Sequence, residues 1–166
     1  ITSGVKRSVE EEEMYVLDVV EALRRFSLPI GVSIYPGPET AARLHALGVI
    51  EVKFNIEAAT ETLFSDMCPG LSWEEIWEAL RKSVPLFGRG RVYSNIIVGL
   101  GETDENLERV MRDLAGIGVI PVLRPLTPAG SLADRHRPSA DRLLRLYDVH
   151  EDILRKAGLD PALWAL

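Results

Sequence analysis

Cysteine is nearly absent, Cys68 being the only one in 166 residues. That excludes a disulfide framework and any multi-thiolate metal site built from these residues alone. Positive charge is also short: 19 Lys and Arg against 25 Asp and Glu leave a formal net charge of -6. A chain that neutralises phosphates needs a basic face, so no nucleic-acid partner is expected. Long apolar runs are missing too. Gly, Pro or charge interrupts each one before the roughly 20 residues needed to cross a bilayer, and no basic segment precedes an apolar one as in a secretory leader. No membrane partner and a cytoplasmic location are the expectations. The chain opens on Ile1 rather than Met, and Ile1-Thr2-Ser3-Gly4 reads as the tail of a strand and its turn, as in a piece of a longer protein.

What is present is organised around Val92-Tyr93-Ser94-Asn95-Ile96-Ile97-Val98-Gly99-Leu100-Gly101-Glu102-Thr103. Val92 to Val98 is too apolar for one wet face and reads as a strand buried on both sides, as in a parallel sheet. Gly99 and Gly101 let the backbone turn tightly and approach another molecule, and Thr103 caps a helix starting at Asp104. Ligands in such folds collect at the carboxyl ends of strands. A dinucleotide fingerprint is rejected, because it needs glycine where Asp104 stands and Glu102 repels a pyrophosphate.

Around this unit the spacing predicts a helix from Val9 to Phe26 capped by Ser8, a strand from Ile30 to Tyr35, a short helix from Glu39 to Leu47, and a strand from Val49 to Glu57. In that last strand Lys53, Asn55 and Glu57 share one face and Val52, Phe54 and Ile56 the other. Residues 58–71 read as a longer loop holding one helical turn. A helix follows, capped by Ser72 with Trp73, Ile76, Leu80 and Phe87 as its buried stripe. Leu107, Val110, Leu114 and Ile117 mark a helix stopped by Gly118, then a strand from Val119 to Leu126, a loop from Thr127 to Pro138, and a long helix capped by Ser139. Gly158, Asp160 and Pro161 mark a last short turn. Leu47-Gly48-Val49-Ile50-Glu51-Val52 is echoed by Ile117-Gly118-Val119-Ile120-Pro121-Val122, two copies of one helix-to-strand joint. About five strands alternating with helices give an α/β fold, a partial (β/α) barrel of parallel strands with an unpaired edge. Residues 1–132 form the barrel and 133–166 a helical segment packed on it.

Thr2-Ser3-Gly4, Asn55-Ile56-Glu57, Ile97-Val98-Gly99-Leu100-Gly101-Glu102 and Val122-Leu123-Arg124-Pro125-Leu126, in that order, resemble the radical S-adenosylmethionine (SAM) enzymes. The likeness is greatest to the branch holding biotin synthase, methylornithine synthase and the hydrogenase-cofactor maturases. The resemblance implies a TIM-like barrel of six or eight βα units and two cofactors, SAM and a 4Fe-4S cluster. It implies an enzyme that cleaves SAM reductively to a 5'-deoxyadenosyl radical, which takes hydrogen from a small-molecule substrate. Flavodoxin or ferredoxin is the implied electron donor.

Residue by residue, it places the methionyl amine at Thr2, Ser3 and Gly4, and the ribose and methionyl end at Asn55 and Glu57. Adenine lies against Ile97 and along Arg124, Pro125 and Leu126, with Gly99, Gly101 and Glu102 forming the turn that admits the nucleoside. The cysteine loop that ligates the cluster in the family is absent from this sequence, so the chain alone is expected to be inactive, with the thiolates upstream. Val32 and Tyr93 stand near the auxiliary-cluster cysteines of biotin synthase, which argues against biotin formation. The competing reading is a cluster-free α/β barrel, either a binding protein or an aldolase-like enzyme, or a degenerate scaffold. Tyr35, Tyr93 and Arg124 are expected to face inward. Cys68 reads as apolar filler, His150 as a satisfied boundary histidine, and Arg135-His136-Arg137 as a solvated basic loop.

Overall fold

The computed structural model describes residues 1–160. Four parallel strands, β1 (Gly31–Ser33), β2 (Glu51–Lys53), β3 (Val92–Val98) and β4 (Ile120–Pro125), lie side by side in chain order. A single parallel bridge between Thr2 and Ser33 adds the first residues as a fifth stave outside β1. There, Ser3 N donates to Ser33 O and Ser33 N to Ile1 O. Among the described residues nothing pairs with the other side of Thr2 or with the far side of β4, so the sheet is an open arc.

Helices α1 (Val9–Leu23), α2 (Thr40–Ala46), α3 (Glu61–Met67), α4 (Trp73–Phe87), α5 (Asp104–Ile117) and α6 (Ala140–Lys156) connect or follow the strands. All but α2 begin at a side-chain cap, and the longer ones carry an apolar stripe. The hydroxyls of Ser8, Thr60, Ser72, Thr103 and Ser139 each accept a backbone N–H from the first turn of their helix, worth about 1 kcal/mol apiece. Asn106 completes a reciprocal box with Thr103 at α5. The fully buried Leu44, Phe54, Ile56, Ile76, Leu80, Ile96, Leu107 and Leu114 pack between the outer face of the sheet and the helices. That layer holds the arc together.

The echoed joint is real in three dimensions. Gly48 (φ 80°) and Gly118 (φ 94°) take the left-handed conformation. Val49 N donates to Leu44 O and Val119 N to Leu114 O, closing both helix ends alike. A third copy ends α6, where Gly158 (φ 68°) is followed by Leu159 N donating to Leu154 O.

Four expectations change. The strand from Val49 to Glu57 keeps its ladder only over Glu51–Lys53 and returns as a lone bridge between Glu57 and Ile96. The strands are four plus a bridge, because the first residues pair at one point only. The 58–71 stretch contains a two-turn helix, α3, which Thr60 caps and Phe64 anchors by burying against Trp73 at 5.5 Å between ring centroids. In α4 the stripe shifts: Trp77 is buried, while Trp73 and Phe87 at its two ends are only partly covered. Of the final turn, Pro161 lies outside the described residues. Among those described, no helix is long and apolar enough to cross a membrane.

Candidate functional site

In-register pairing of parallel strands stacks side chains into levels across the arc. Ser33, Lys53, Tyr93 and Ile120 are direct partners, with Thr2 bridged to Ser33, and together they form a floor. Above them Asn95 pairs with Val122, and at the rim Ile97 pairs with Arg124. Alternation turns these residues toward the concave face and Val52, Phe54 and Ile96 toward the helices. Val32, in register with Val52, faces outward and not into the arc.

Two adjoining cavities occupy the concave face. One of about 540 Å³ is lined by Thr2, Asn55, Glu57, Ile97, Arg124, Pro125 and Leu126, and also by Ser33, Lys53, Asn95, Thr127 and Leu132. The other, about 440 Å³, is lined by Thr2, Ser3, Gly4, Asn55 and Glu57 together with Tyr35, Phe64 and Cys68. The structure thus brings together Thr2, Ser3, Gly4, Asn55, Glu57, Ile97, Arg124, Pro125 and Leu126. Arg124 and Tyr35 line the cavities, and Tyr93 shares their inner face at the floor. Ser33 and Asn95 are lining residues that the sequence did not single out, and Lys53 is one that it placed on the face of Asn55 and Glu57 without a role. Their only signal was a polar residue at an inward position of a buried strand.

A bulge shapes the middle of the site. Lys53 pairs with Tyr93 but Glu57 with Ile96, so one extra residue is inserted on the β2 side. Side chains replace the lost ladder: Asn95 N donates to Asn55 Oδ1 at 3.1 Å and Ile56 N to the buried Ser94 Oγ at 2.9 Å. Backbone pairing resumes with Glu57 N to Asn95 O and Ile97 N to Glu57 O. Glu57 itself sits at φ 56°, a left-handed conformation that costs a non-glycine residue of order 1 kcal/mol.

Burial raises the Glu57 carboxyl above its ordinary value, against the lowering influence of the Asn55 side chain and of Lys53. Burial, and then the Arg124 charge, lowers the Lys53 ammonium, with Glu51 and Glu57 opposing. The Cys68 thiol is pushed up by burial and by Glu57, so it remains protonated filler on the cavity wall.

Gly99, Gly101 and Glu102 line neither cavity. The Glu102 carboxylate is fully buried and accepts from Gly99 N and Leu100 N, both at 2.8 Å, and from Arg142 Nη2 at 3.0 Å. Arg142 also reaches Asp104 Oδ1 at 2.8 Å. The loop before α6 covers the turn. A Cβ on Gly99 would lie 3.2 Å from Leu126 Cβ and Pro138 Cδ, and Arg135 Nη1 donates to Leu100 O at 3.4 Å. The basic loop is therefore packed on the glycine turn, and the close approach that Gly99 permits is to its own chain. His150 is satisfied as expected, with Nε2 2.7 Å from Pro121 O.

These residues fit a nucleoside sulfonium. Ile97, Pro125 and Leu126 offer an apolar wall for a purine. Asn95 lines the cavity, and its Oδ1 is buried without a hydrogen-bond partner, an acceptor of the type that a ribose hydroxyl needs. They do not fit an iron-sulfur cluster: Cys68 is the single thiol of the sequence, and no metal-holding group of His, Cys, Asp and Glu occurs among the described residues.

A family model described as Radical SAM superfamily matches residues 7–114. A lipoyl synthase of Variovorax paradoxus (strain S110) is 35% identical over 103 residues, covering 61% of this chain and 28% of that protein. A lipoyl synthase of Verminephrobacter eiseniae (strain EF01-2) is 28% identical over 149 residues, covering 85% of this chain and 42% of that protein. The chain spans less than half the length of either relative. Among solved structures, a domain of pyruvate-formate lyase-activating enzyme from Bacteroides vulgatus ATCC 8482 superposes with a TM-score of 0.68 at 15% identity, over 96% of this chain and 95% of that one. That likeness concerns the fold alone.

Proposed function

This chain belongs to the radical SAM superfamily, and from that premise we propose that it is the SAM-binding wall of an enzyme that reductively cleaves SAM and uses the resulting 5'-deoxyadenosyl radical to take hydrogen from a small-molecule substrate. The observation that carries this reading is the clustering of nine residues from four separate stretches around two adjoining cavities at the carboxyl ends of the strands. Adenine lies against Ile97, Pro125 and Leu126, the ribose lies between the Asn55 amide and Asn95, and the cationic methionyl end approaches Glu57. Gly99, Gly101 and Glu102 act indirectly, by fixing the turn that holds the tip of β3 beside β4. Thr2, Ser3 and Gly4 supply backbone groups for the methionyl amine.

A 4Fe-4S cluster would be held by thiolates outside these residues and would supply the electron, received from a small carrier of the flavodoxin or ferredoxin kind by the intact, cytoplasmic protein. Alone, the chain is inactive. The two lipoyl synthase relatives make lipoyl formation the first reaction to assay in the intact protein.

Equilibrium binding of SAM to the intact protein tests the site. Asn55→Ala and Glu57→Ala are each expected to weaken it tenfold or more, the size of a lost charge-assisted or buried hydrogen bond. Circular dichroism serves as the folding control. Unchanged affinity in both variants removes the assignment.

A further inference from the structure

The floor of the 540 Å³ cavity holds a feature that the nucleoside does not use. Lys53 is only 5% exposed, yet among the described residues its ammonium forms no hydrogen bond or ion pair. Glu51 on its own strand and Glu57 beyond the bulge act on it only at longer range, and Arg124 adds a second positive charge. The Lys53 stem is covered while the ammonium opens on the cavity; two like charges on one cavity wall repel each other, and an anion between them relieves that.

SAM's cationic sulfonium and ammonium complement Glu57, and its one anion, the methionyl carboxylate, is bonded next to that ammonium, whereas Lys53 lies deeper, in the floor level with Ser33 and Tyr93. Arg124 stands at the rim, paired with Ile97. The cavity wall is apolar at Ile97, Pro125, Leu126 and Leu132.

Resting on the function proposed above, we propose that the substrate sharing this cavity with SAM carries a carboxylate on an apolar body, drawn in past Arg124 and anchored on Lys53. Lys53 is then a substrate-binding residue, and the cationic floor selects an acid over its amide or ester. A carboxylate on an ammonium makes a charge-assisted hydrogen bond, which is stronger than the neutral one an amide offers.

The test uses the intact protein saturated with SAM, with hexanoate and its neutral isostere hexanamide as probes in ligand-observed NMR titrations. The wild type is expected to prefer hexanoate by about tenfold, and Lys53→Met to bring the two probes to parity. Methionine conserves the volume of the lysine stem and removes the unpaired charge, so Lys53→Met is expected to melt at or above the wild-type temperature and unfolding does not confuse the result. A wild type without preference, or a preference that survives in Lys53→Met, overturns the proposal. A second pair of titrations compares SAM with decarboxylated SAM. If Lys53→Met collapses that ratio, the anchor belongs to the methionyl carboxylate and the substrate assignment falls; an unchanged ratio supports it. Failure of SAM itself to bind the wild type strikes the proposed function, while the hexanoate titration repeated without SAM still reads the anchor.

Discussion

Glu57 carries strain and an unfavourable charge in one residue. Its φ of 56° comes from the bulge, and burial raises its carboxyl above the ordinary value of 4.5. A carboxyl with a raised folded-state pKa lets the folded protein bind a proton more readily than the unfolded chain. Stability therefore falls as pH rises from the unfolded carboxyl range through the folded pKa, and the loss is complete above it. Glu57→Gln keeps the backbone strain and removes the charge. It is expected to melt higher than the wild type at pH 7 and to match it near about pH 4; equal melting curves across that whole range would contradict the assigned shift. His150 runs the other way. Burial lowers its pKa from 6.5 while Nε2 is bonded to Pro121 O. Its contribution is present above pH 6.5 and lost as pH falls from there through the folded pKa, and His150→Gln should flatten that part of the stability profile. The sequence made Glu57 legible, because a carboxylate in a buried strand needs an explanation. Asn95 was not legible: that its backbone N–H goes to Asn55 Oδ1 while its own side-chain oxygen is left without a partner follows from the register of segments 40 residues apart.

The helix-to-strand joints are the elements that repeated sequence best foretold, and they allow a controlled comparison. Gly48 and Gly118 share conformation and hydrogen bonds, but a Cβ at Gly48 meets nothing within 4 Å, whereas at Gly118 it would sit 2.9 Å from Arg89 Cγ. Gly48→Ala should cost only the left-handed penalty, about 1 kcal/mol, and Gly118→Ala about 2 kcal/mol or more once overpacking is added. Urea unfolding of both variants checks this, and equal costs would mean that Arg89 moves aside freely. The third joint escaped notice because Ala157-Gly158-Leu159 lacks the β-branched residues that follow the glycine in the other two. Helix α3 escaped for another reason: seven residues are too few to display a period, and its stability comes from Phe64 packing on Trp73. Helix α6 was foreseen, but not its grip on the glycine turn through Arg142. Removing that guanidinium leaves the buried Glu102 carboxylate with backbone donors alone. Arg142→Ala is expected to lose about 2 kcal/mol in the same assay.

Across the whole molecule the two faces of the sheet divide the work. Helices press an apolar layer against the outer face, while the inner face carries Ser33, Lys53, Asn55, Asn95 and Arg124 around open space, the reverse of a barrel whose interior is filled by branched side chains. Residues facing the helices follow from hydrophobic pattern, so the outer half of the fold could be read from the sequence. The inner half depends on register, which pattern constrains only through the outer face. An arc built this way has an uneven hold on its strands. β3 is paired along its length with β4 and in part with β2, and it is covered by α4 and α5. The first stave is held to β1 by two backbone hydrogen bonds and by the Ile1 ammonium donating to Gly31 O at 2.8 Å. Local opening of that edge breaks few bonds and exposes little apolar surface, whereas opening β3 requires most of the molecule to unfold. Amide hydrogen exchange of this chain should therefore grade across the sheet. Ser3 and Ser33 are expected to exchange orders of magnitude faster than Ile96 and Val98, whose rates should report global unfolding. If Ser3 is instead as slow as Ile96, the edge beside Thr2 is covered, and the open arc is not the state of this chain in solution.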